Sequence, residues 1–241
     1  MPTSAALREL LHHTGHRTAP LPSSPWVGYQ RWEDVCFLHW RCDVAQLRRL
    51  VPDPLEIDIV DGSAWVTITP LRIPRSRPRR TPVNIPCMEI NFRTYVRHRG
   101  VTGIYFLSLD CDSVLSVLGA RALYSLPYWA SEIRVSRSTG RWRYTSQRAR
   151  RAVRMQSSVA SVATGHVSET ARDLAERYCL FVVRKGQVKW APIHHLPWSI
   201  CDATGYFSGE GWPFGIAERP PEIVSSCGDV DVLIWPLLDA S

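Results

Sequence analysis

The sequence predicts an α+β fold that is built mainly from an antiparallel sheet. Short alternating or apolar segments recur along the chain, and hairpin signals such as Asp61-Gly62, Thr139-Gly140 and Lys185-Gly186 join several of them. Only a few segments have helical spacing, and they lie between runs of strands. The βαβ rhythm and the Gly-rich phosphate loop of nucleotide-binding folds are both missing from the sequence.

The expected strands follow from period-two alternation or from short apolar runs. They cover residues 35–38, 55–60, 63–73, 89–96, 104–110, 132–136, 141–146, 178–183, 188–190 and 230–237. Residues 74–86 are interpreted as a loop, because Pro74, Pro78 and Pro82 interrupt them. Residues 194–228 are interpreted mostly as loop, and residues 147–165 carry no informative pattern.

Four short helices are expected, each beginning at a residue whose side-chain oxygen can accept a backbone N–H. The N-caps and helix ends are Ser4 to residue 11, Asp43 to residue 50, Ser113 to residue 124 and Ser168 to residue 177. In the third helix, Leu115, Leu118 and Ala122 form the apolar stripe of an amphipathic helix.

The 241 residues, 45% of them apolar, suffice for one large domain. We expect an N-terminal extension over residues 1–25 and a single domain over residues 26–241, since three prolines enforce an extended connection between them. No apolar run approaches the ~18 residues of a membrane span. The N-terminus also lacks the apolar core of a signal peptide, which predicts a cytoplasmic protein.

The formal charge of +7 comes from 27 arginines and only two lysines, and the arginines concentrate in residues 72–80 and 141–154. Such a balance permits binding to anions or nucleic acid. Neither run belongs to a helix-turn-helix, zinc-finger or aromatic RNA-binding pattern. A solvated basic surface is therefore favoured over a nucleic-acid site.

The seven cysteines form no CxxC pair. A zinc site or a disulfide framework would need closer, paired spacing. We therefore expect buried free thiols, no metal site and no cofactor.

The strand at residues 89–96 places Glu89, Asn91 and Arg93 on one face, because successive side chains of a strand point to opposite sides. Two interpretations stay open. The polar face can simply meet solvent, as in many antiparallel sheets. Alternatively it lines a cavity, where Glu89 would act as a general acid or base and Arg93 would orient an anion.

Two further groups of residues were considered for chemistry. His194 and His195 are neighbours on a strand and point opposite ways, so they do not form a metal pair; the expectation is one packed and one exposed ring, or one ring at the mouth of a pocket. Lys185 lies in a hairpin turn and Lys189 on the strand after it, and both are poor candidates for a Schiff base, which needs a buried amine.

Six motifs in order resemble the YqjF-like family of uncharacterised bacterial proteins, over about residues 20–238. The motifs are Phe37-Leu38-His39-Trp40, the Asp61-Gly62 hairpin with Ala64-Trp65-Val66, residues 89–96, residues 105–110, Glu176-Arg177-Tyr178-Cys179-Leu180 and residues 193–198. That family is related in fold to acetoacetate decarboxylase. The resemblance therefore implies an antiparallel β-cone, barrel-like around a central cavity, with a few peripheral helices.

The more distant similarity to acetoacetate decarboxylase concerns residues 120–129. The arginine and proline of its catalytic segment correspond to Arg121 and Pro127, and its aromatic residue corresponds to Tyr124. Its Schiff-base lysine falls on Tyr128, which cannot form an imine. Glu89 lies where the decarboxylase has a pocket glutamate. The resemblance thus implies a cavity and an acid without the covalent machinery.

The leading hypothesis is a protein that binds or non-covalently transforms a small anionic or carbonyl compound of unknown identity. Glu89 and Tyr128 are the candidate catalytic residues. The candidate ligand-binding residues are Asn91, Arg93, Arg121, Tyr124 and His195. The alternatives are a structural or interaction protein whose cavity is filled by its own side chains and, more weakly, a basic nucleic-acid-binding module. No membrane partner is expected, and a homo-oligomer stays open.

Overall fold

A computed structural model describes residues 3–148, 154–161, 167–209, 213–216 and 218–240, with residues 154–161 described by their backbone alone. The four α-helices in these ranges are α1 (Ser4–His12), α2 (Val44–Arg48), α3 (Val114–Tyr124) and α4 (Glu169–Ala175), and one short 3₁₀ helix covers Pro213–Gly215. Asp43, Ser113 and Ser168 cap their helices as predicted, whereas Thr3 rather than Ser4 caps α1. None of the described helices is both long and apolar enough to cross a membrane.

Fifteen strands of the described ranges form one mainly antiparallel sheet. They are β1 (Gly28–Glu33), β2 (Cys36–Cys42), β3 (Glu56–Ile57), β4 (Ala64–Pro78), β5 (Cys87–His98), β6 (Val101–Cys111), β7 (Tyr128–Ser138), β8 (Arg141–Arg148), β9 (Arg154–Ser161), β10 (Cys179–Arg184), β11 (Gln187–His194), β12 (Ile200–Gly209), β13 (Ile223–Cys227), β14 (Val230–Ile234) and β15 (Leu238–Asp239). The predicted α+β class with a mainly antiparallel sheet is confirmed.

The strand pairings close two circuits that share three strands. The first circuit runs β1, β14, β11, β10, β6, β5 and β4, and returns to β1. The second runs from β6 through β7, β8, β9, β12, β13 and β2 to β4, and returns through β5. The pairs of β6 with β7 and with β10 are parallel, and the others are antiparallel. The shared strands β4, β5 and β6 therefore form a wall between two enclosed spaces.

The two faces of β5 look into different surroundings. Ile90, Phe92 and Val96 pack in an apolar cluster with residues from β2, β4, β7, β8 and β12, which fills the second circuit. On the other face, Glu89, Asn91 and Arg93 line a cavity inside the first circuit. Each of these three side chains is only 7% exposed, so the interpretation of a solvent-facing polar strand is wrong.

Two segments expected to be loops contain strands. Strand β4 continues through Pro78 and pairs with β1, and Pro74 falls where the register between these strands is irregular. Prolines are tolerated at such irregular positions because no ladder hydrogen bond depends on them there. Residues 194–228 contain β12 and β13, and the uninformative segment contains β9. Their Ser- and Gly-rich strands lack the apolar alternation that sequence patterns detect.

Helix α3 has the predicted bounds, but it turns a different face inward. Leu115 and Leu118 of the expected stripe are 67% and 57% exposed, and Ala122 is exposed as well. Val117 is the buried residue, and it packs with the cluster around Cys111. The helix is short and lies at the edge of the first circuit, so its apolar residues are not all needed for the core.

Several arginines of the two basic runs are used inside the molecule. Arg72 forms an ion pair with Glu33 at 2.7 Å, and Arg148 forms one with the buried Asp110 at 2.6 Å. Arg79 stacks over the Trp26 ring at 4.6 Å. Part of the positive charge therefore stabilises the fold.

Candidate functional site

The candidate site is a cavity of about 340 Å³ inside the first circuit. This volume lies in the range of small-molecule sites. Strands β1, β4 and β5 each supply several lining residues, and helix α3 borders the cavity on one side. Of the candidate residues predicted from the sequence, those that line the cavity are Glu89, Asn91, Arg93, Tyr124, Tyr128 and His195. The cavity also shows that the first circuit is not filled by its own side chains.

Glu89 and Tyr128 form a hydrogen-bonded pair in the cavity wall, because β5 and β7 flank β6 on either side. The Tyr128 hydroxyl donates to Glu89 Oε2 at 2.8 Å. Burial raises the pKa of Glu89 to about 7, although hydrogen bonds from Tyr128 and Asn91 act in the opposite direction. Burial and the Glu89 carboxylate raise the pKa of Tyr128 well above its usual value. At neutral pH, Glu89 can therefore give or take a proton while Tyr128 stays protonated.

Arg93 is a buried guanidinium without a carboxylate partner among the described residues. Its Nη2 donates to the Leu174 carbonyl at 3.1 Å, its plane lies over the Phe37 ring at 4.9 Å, and its Nε has no partner. Arg177 offers a contrast in the same cavity, since Asp58 neutralises it at 2.8 Å. A buried charge is costly unless it is paired, so Arg93 is the cationic position that an anion would complete.

Two further polar atoms without partners lie beside Arg93. Thr69 on β4 is directly opposite Asn91 on β5, and both side chains line the cavity. Neither Thr69 Oγ1 nor Asn91 Oδ1 has a hydrogen-bond partner. We call Thr69, Glu89, Asn91 and Arg93 the polar patch. It offers a charged donor, a hydroxyl and an amide oxygen to a bound molecule.

His195 and Trp198 close another part of the cavity. Their rings lie 4.6 Å apart, and Trp198 Nε1 is buried without a partner. Burial lowers the pKa of His195 to about 3, so this ring is neutral at physiological pH. His194 points the opposite way, as predicted, and bonds to Leu10 of α1. The expectation that one of the two rings is exposed is wrong, since the N-terminal segment covers His194.

Arg121 does not lie where the sequence comparison suggested. It is exposed, it is not part of the cavity wall, and its Nε donates to the Tyr128 carbonyl at 2.8 Å. The guanidinium lies on the surface between α3 and the start of β7, outside the cavity. Arg121 therefore contacts Tyr128 from behind instead of lining the cavity. Tyr124 does line it, but its hydroxyl is used by the Trp235 carbonyl at 3.0 Å.

Two thiols adjoin Glu89, and the sequence analysis did not anticipate them together. The Sγ atoms of Cys87 and Cys111 and a Glu89 carboxylate oxygen lie within 4.8 Å of one another. Such donors can hold a zinc ion if the thiols are deprotonated. The hydrogen bond with Cys111 and burial raise the pKa of Cys87, so its thiol keeps its proton. At neutral pH the Cys87 thiol is therefore a neutral part of the cavity wall.

Sequence reasoning found the β5 residues of the site and missed their partners on other elements. Thr69 and Trp198 were not singled out, although both carry unpaired polar atoms in the cavity. The alternating threonines of β4 were a usable signal for Thr69, because they match the polar face of β5 across the ladder. No local pattern marks Trp198, which a loop brings to the site.

The sequence model of the DUF2071 family, described as an uncharacterized conserved protein, matches residues 29–211. The uncharacterized protein YqjF of Bacillus subtilis (strain 168) is 34% identical over 229 residues, which cover 90% of this chain and 94% of that protein. These matches confirm the resemblance found from the six motifs.

Solved structures with the same fold include acetoacetate decarboxylase from Legionella pneumophila subsp. pneumophila str. Philadelphia 1. It has a TM-score of 0.68 and 13% identity, and the alignment covers 92% of each chain. An acetoacetate decarboxylase-like enzyme from Sphingomonas wittichii RW1 has a TM-score of 0.65 and 14% identity, covering 93% of this chain and 96% of that chain. The chain therefore belongs to the DUF2071 family, and it has the acetoacetate decarboxylase-like fold.

Proposed function

We propose that this protein binds a small carboxylate that also carries a carbonyl or hydroxyl group, and that Glu89 and Tyr128 move a proton on it without a covalent intermediate. The observation that carries the proposal is the buried guanidinium of Arg93, which lines an open cavity without a carboxylate partner among the described residues. The fold relative from Legionella pneumophila is by name a decarboxylase of acetoacetate, a 3-oxo acid, which is the same chemical class.

The polar patch suits the two ends of such a molecule. A carboxylate at Arg93 would neutralise the buried charge and accept charge-assisted hydrogen bonds. Asn91 lies between Arg93 and Glu89 on the same face of β5, so an adjoining carbonyl or hydroxyl group would come near Glu89. A carboxyl group whose pKa is close to the working pH is well suited to general acid–base catalysis.

No lysine lines the cavity among the described residues, so no side-chain amine is placed there to form an imine with a carbonyl compound. The chain has two lysines, and neither lines the cavity wall. Lys185 lies in the β10–β11 turn with a φ of +51°, and Lys189 forms an exposed ion pair with Asp239. Tyr128 lies in the cavity with its hydroxyl on Glu89. The proposed chemistry is therefore proton transfer beside a carbonyl group, without a Schiff base.

Binding is tested by calorimetry with pyruvate, 3-oxobutanoate and the uncharged methyl ester of 3-oxobutanoate. We expect at least one acid to bind, the ester to bind at least tenfold more weakly, and Arg93→Gln to weaken acid binding by about 10- to 100-fold, since a hydrogen bond to a charged group is worth about 1.5–3 kcal/mol. Arg134→Gln is the matched control, because Arg134 is exposed on β7. Equal affinity of Arg93→Gln and the parent protein would show that the anion site is elsewhere.

Proton transfer is tested by NMR, as deuterium exchange from D₂O into the carbon next to the carbonyl of the bound acid. We expect Glu89→Gln to retain acid affinity within about threefold while losing the protein-dependent exchange, because the amide cannot accept the proton. Exchange in the parent protein should rise as the pH passes through about 7, where Glu89 ionises. Unchanged exchange in Glu89→Gln, or no exchange above the buffer rate in the parent, would leave a binding protein without this chemistry.

A further inference from the structure

The polar patch occupies only the deep end of the cavity. Thr69, Glu89, Asn91 and Arg93 are all buried, whereas other lining residues reach solvent and mark the mouth. At the mouth, Leu115 and Leu123 of α3 are 67% and 69% exposed, and Val27 of the facing segment is 40% exposed. The cavity thus runs from a polar floor to an aliphatic opening.

The wall between floor and mouth offers mostly carbon to a ligand. Three of its aromatic residues use their polar atoms within the protein: the Tyr29 hydroxyl donates to Asp231, Trp32 Nε1 donates to Gln30, and the Tyr124 hydroxyl donates to the Trp235 carbonyl. Leu71 and Phe106 add further apolar surface to the same wall. A polar ligand would leave its own hydrogen bonds unmade along this stretch.

The cavity is also larger than a three- or four-carbon acid requires. Its volume of about 340 Å³ corresponds to roughly ten water molecules at ~30 Å³ each. Apolar walls of this size favour a ligand that fills them with carbon, since each buried methylene contributes to affinity.

We infer that the ligand is an amphipathic carboxylate whose acid group binds Arg93 and whose aliphatic chain runs along the apolar wall to the mouth between Leu115 and Leu123. This inference rests on the proposed function, because it uses the same anion site. It adds a substrate class: acids with an unbranched chain longer than that of acetoacetate.

Arg77 allows a test of the opposite orientation, in which the acid group of the ligand would lie at the mouth of the cavity. Arg77 on β4 lines the cavity near the mouth, it is only half-buried, and its Nε has no partner. An acid group at Arg77 would place the chain inward, over the polar patch. The buried and unpaired atoms of Thr69 and Asn91 would then face carbon, which is unfavourable. The inward orientation of the acid group is therefore the one we assign.

The experiment is a calorimetric series with butanoate, hexanoate, octanoate and decanoate, all below micelle-forming concentrations. We expect affinity to increase by about fourfold per added methylene while the chain is still inside the cavity. The double variant Leu115→Gln/Leu123→Gln should weaken decanoate at least fivefold and leave butanoate unchanged. Leu118→Gln is the matched control, because Leu118 is equally exposed on α3 and does not line the cavity.

Two arginine variants complete the series. Arg93→Gln should weaken every acid, and Arg77→Gln should weaken none. Butanoate binding without any gain from chain length would overturn this inference and leave the proposed function intact. The reverse arginine pattern would overturn the assigned orientation. If none of these four acids binds, the inference fails, whereas the proposed function fails only if pyruvate and 3-oxobutanoate do not bind either.

Discussion

Glu89 links the polar patch of the cavity to the pH dependence of the protein's stability. Its carboxyl group is buried beside Tyr128, Asn91, Asp112 and Cys87, and burial raises its pKa to about 7. The unfolded chain has the ordinary value of 4.5, so the folded state holds a proton that the unfolded state has already lost between pH 4.5 and 7. This contribution to stability is full below pH 4.5 and is lost as the pH rises through 7.

Glu89→Gln should therefore stabilise the protein increasingly as the pH rises from 4.5 to 7. Relative to the parent, its free energy of unfolding should rise by up to about 3 kcal/mol between pH 4.5 and pH 8, because the amide never ionises. Urea denaturation at several pH values measures this difference. The buried histidines His39, His194 and His195, whose pKa values are lowered, titrate in the opposite direction in both proteins and cancel in the difference. A difference that is constant with pH would contradict the burial of an ionisable Glu89.

At the residue scale, the sequence predicted the lining residues of the cavity correctly where they lie together on one strand. The alternation of β5 placed Glu89, Asn91 and Arg93 on one face, and the structure has them there. Arg121 was placed wrongly, because a long side chain near the end of a short helix can turn either inward or along the surface. Thr69 was missed because its role depends on the strand opposite.

At the element scale, α3 combines a cap, a glycine and exposed leucines at the mouth of the cavity. Ser113 caps the helix by accepting from the Ser116 N–H, and Ser125 ends it in a left-handed conformation with a φ of +56°. Gly119 lies in the helix interior, and a Cβ there would meet nothing within 4 Å. Glycine therefore weakens this helix without making room for a neighbour.

Gly119→Ala should stabilise the protein by about 0.5–1 kcal/mol, since alanine loses less backbone entropy in a helix. Chemical denaturation of the two proteins measures the change. Gly100→Ala is the contrasting variant: its Cβ also meets nothing within 4 Å, but its φ is +80°, so it should be destabilising. Equal effects at the two positions would show that helix propensity does not govern α3.

Sequence patterns predicted elements well where capping or turn chemistry is local. Three helix caps and the two hairpin turns at Gly140 and Gly186 are found where the residues indicated them. At Asp61-Gly62 a turn forms with a single bridge between Val60 and Ser63, but β3 pairs with β5 and not with β4. Sequence patterns missed the second half of β4, because a proline such as Pro74 normally indicates the end of a strand. Only the structure shows that the pairing with β1 is irregular at this position. Sequence patterns also predicted the wrong buried face for α3, since exposed leucines and buried leucines look alike in a helical stripe.

At the scale of the whole molecule, the first circuit closes through a narrow contact. Strands β6 and β10 pair through Leu180 and Ile104, in parallel. Gly103 beside this contact has no room for a side chain, because a Cβ would lie 2.6 Å from Cys179 Sγ and 2.8 Å from the Cys179 carbonyl oxygen. The Cys179 carbonyl oxygen belongs to the backbone of β10, so it cannot move aside without shifting that strand.

Gly103→Ala should therefore destabilise the protein by about 1–3 kcal/mol or more, as overpacking does in cores. Amide hydrogen exchange should also become faster in β10 than in the second circuit, because the added methyl group separates β10 from β6. Gly28→Ala in β1 is the matched control on the same circuit, since its Cβ would make an ordinary contact at 3.7 Å with Ile234. Retained stability in Gly103→Ala would mean that this pairing is not needed for closure.

The closure of two circuits is the part of the fold that residue patterns could not predict. The pairings of β1 with β4 and of β6 with β10 join segments far apart in sequence, and no turn signal connects them. The class of fold followed from local hairpins, whereas the cavity was implied only by the resemblance to a known family. Whether residues 1–25 form a separable extension stays a prediction, although Leu10 packs with Tyr29 and Trp235 in one cluster.

Strand β5, one of the three strands shared by both circuits, separates core packing from the polar patch onto its two faces. Ile90, Phe92 and Val96 hold the apolar core, whereas Asn91 and Arg93 hold unpaired polar atoms that weaken the folded state. Replacing the second set by apolar residues would make the protein more stable and remove the anion site that we propose. Substitutions at these alternate positions can therefore alter the proposed site, while the neighbouring positions keep the architecture.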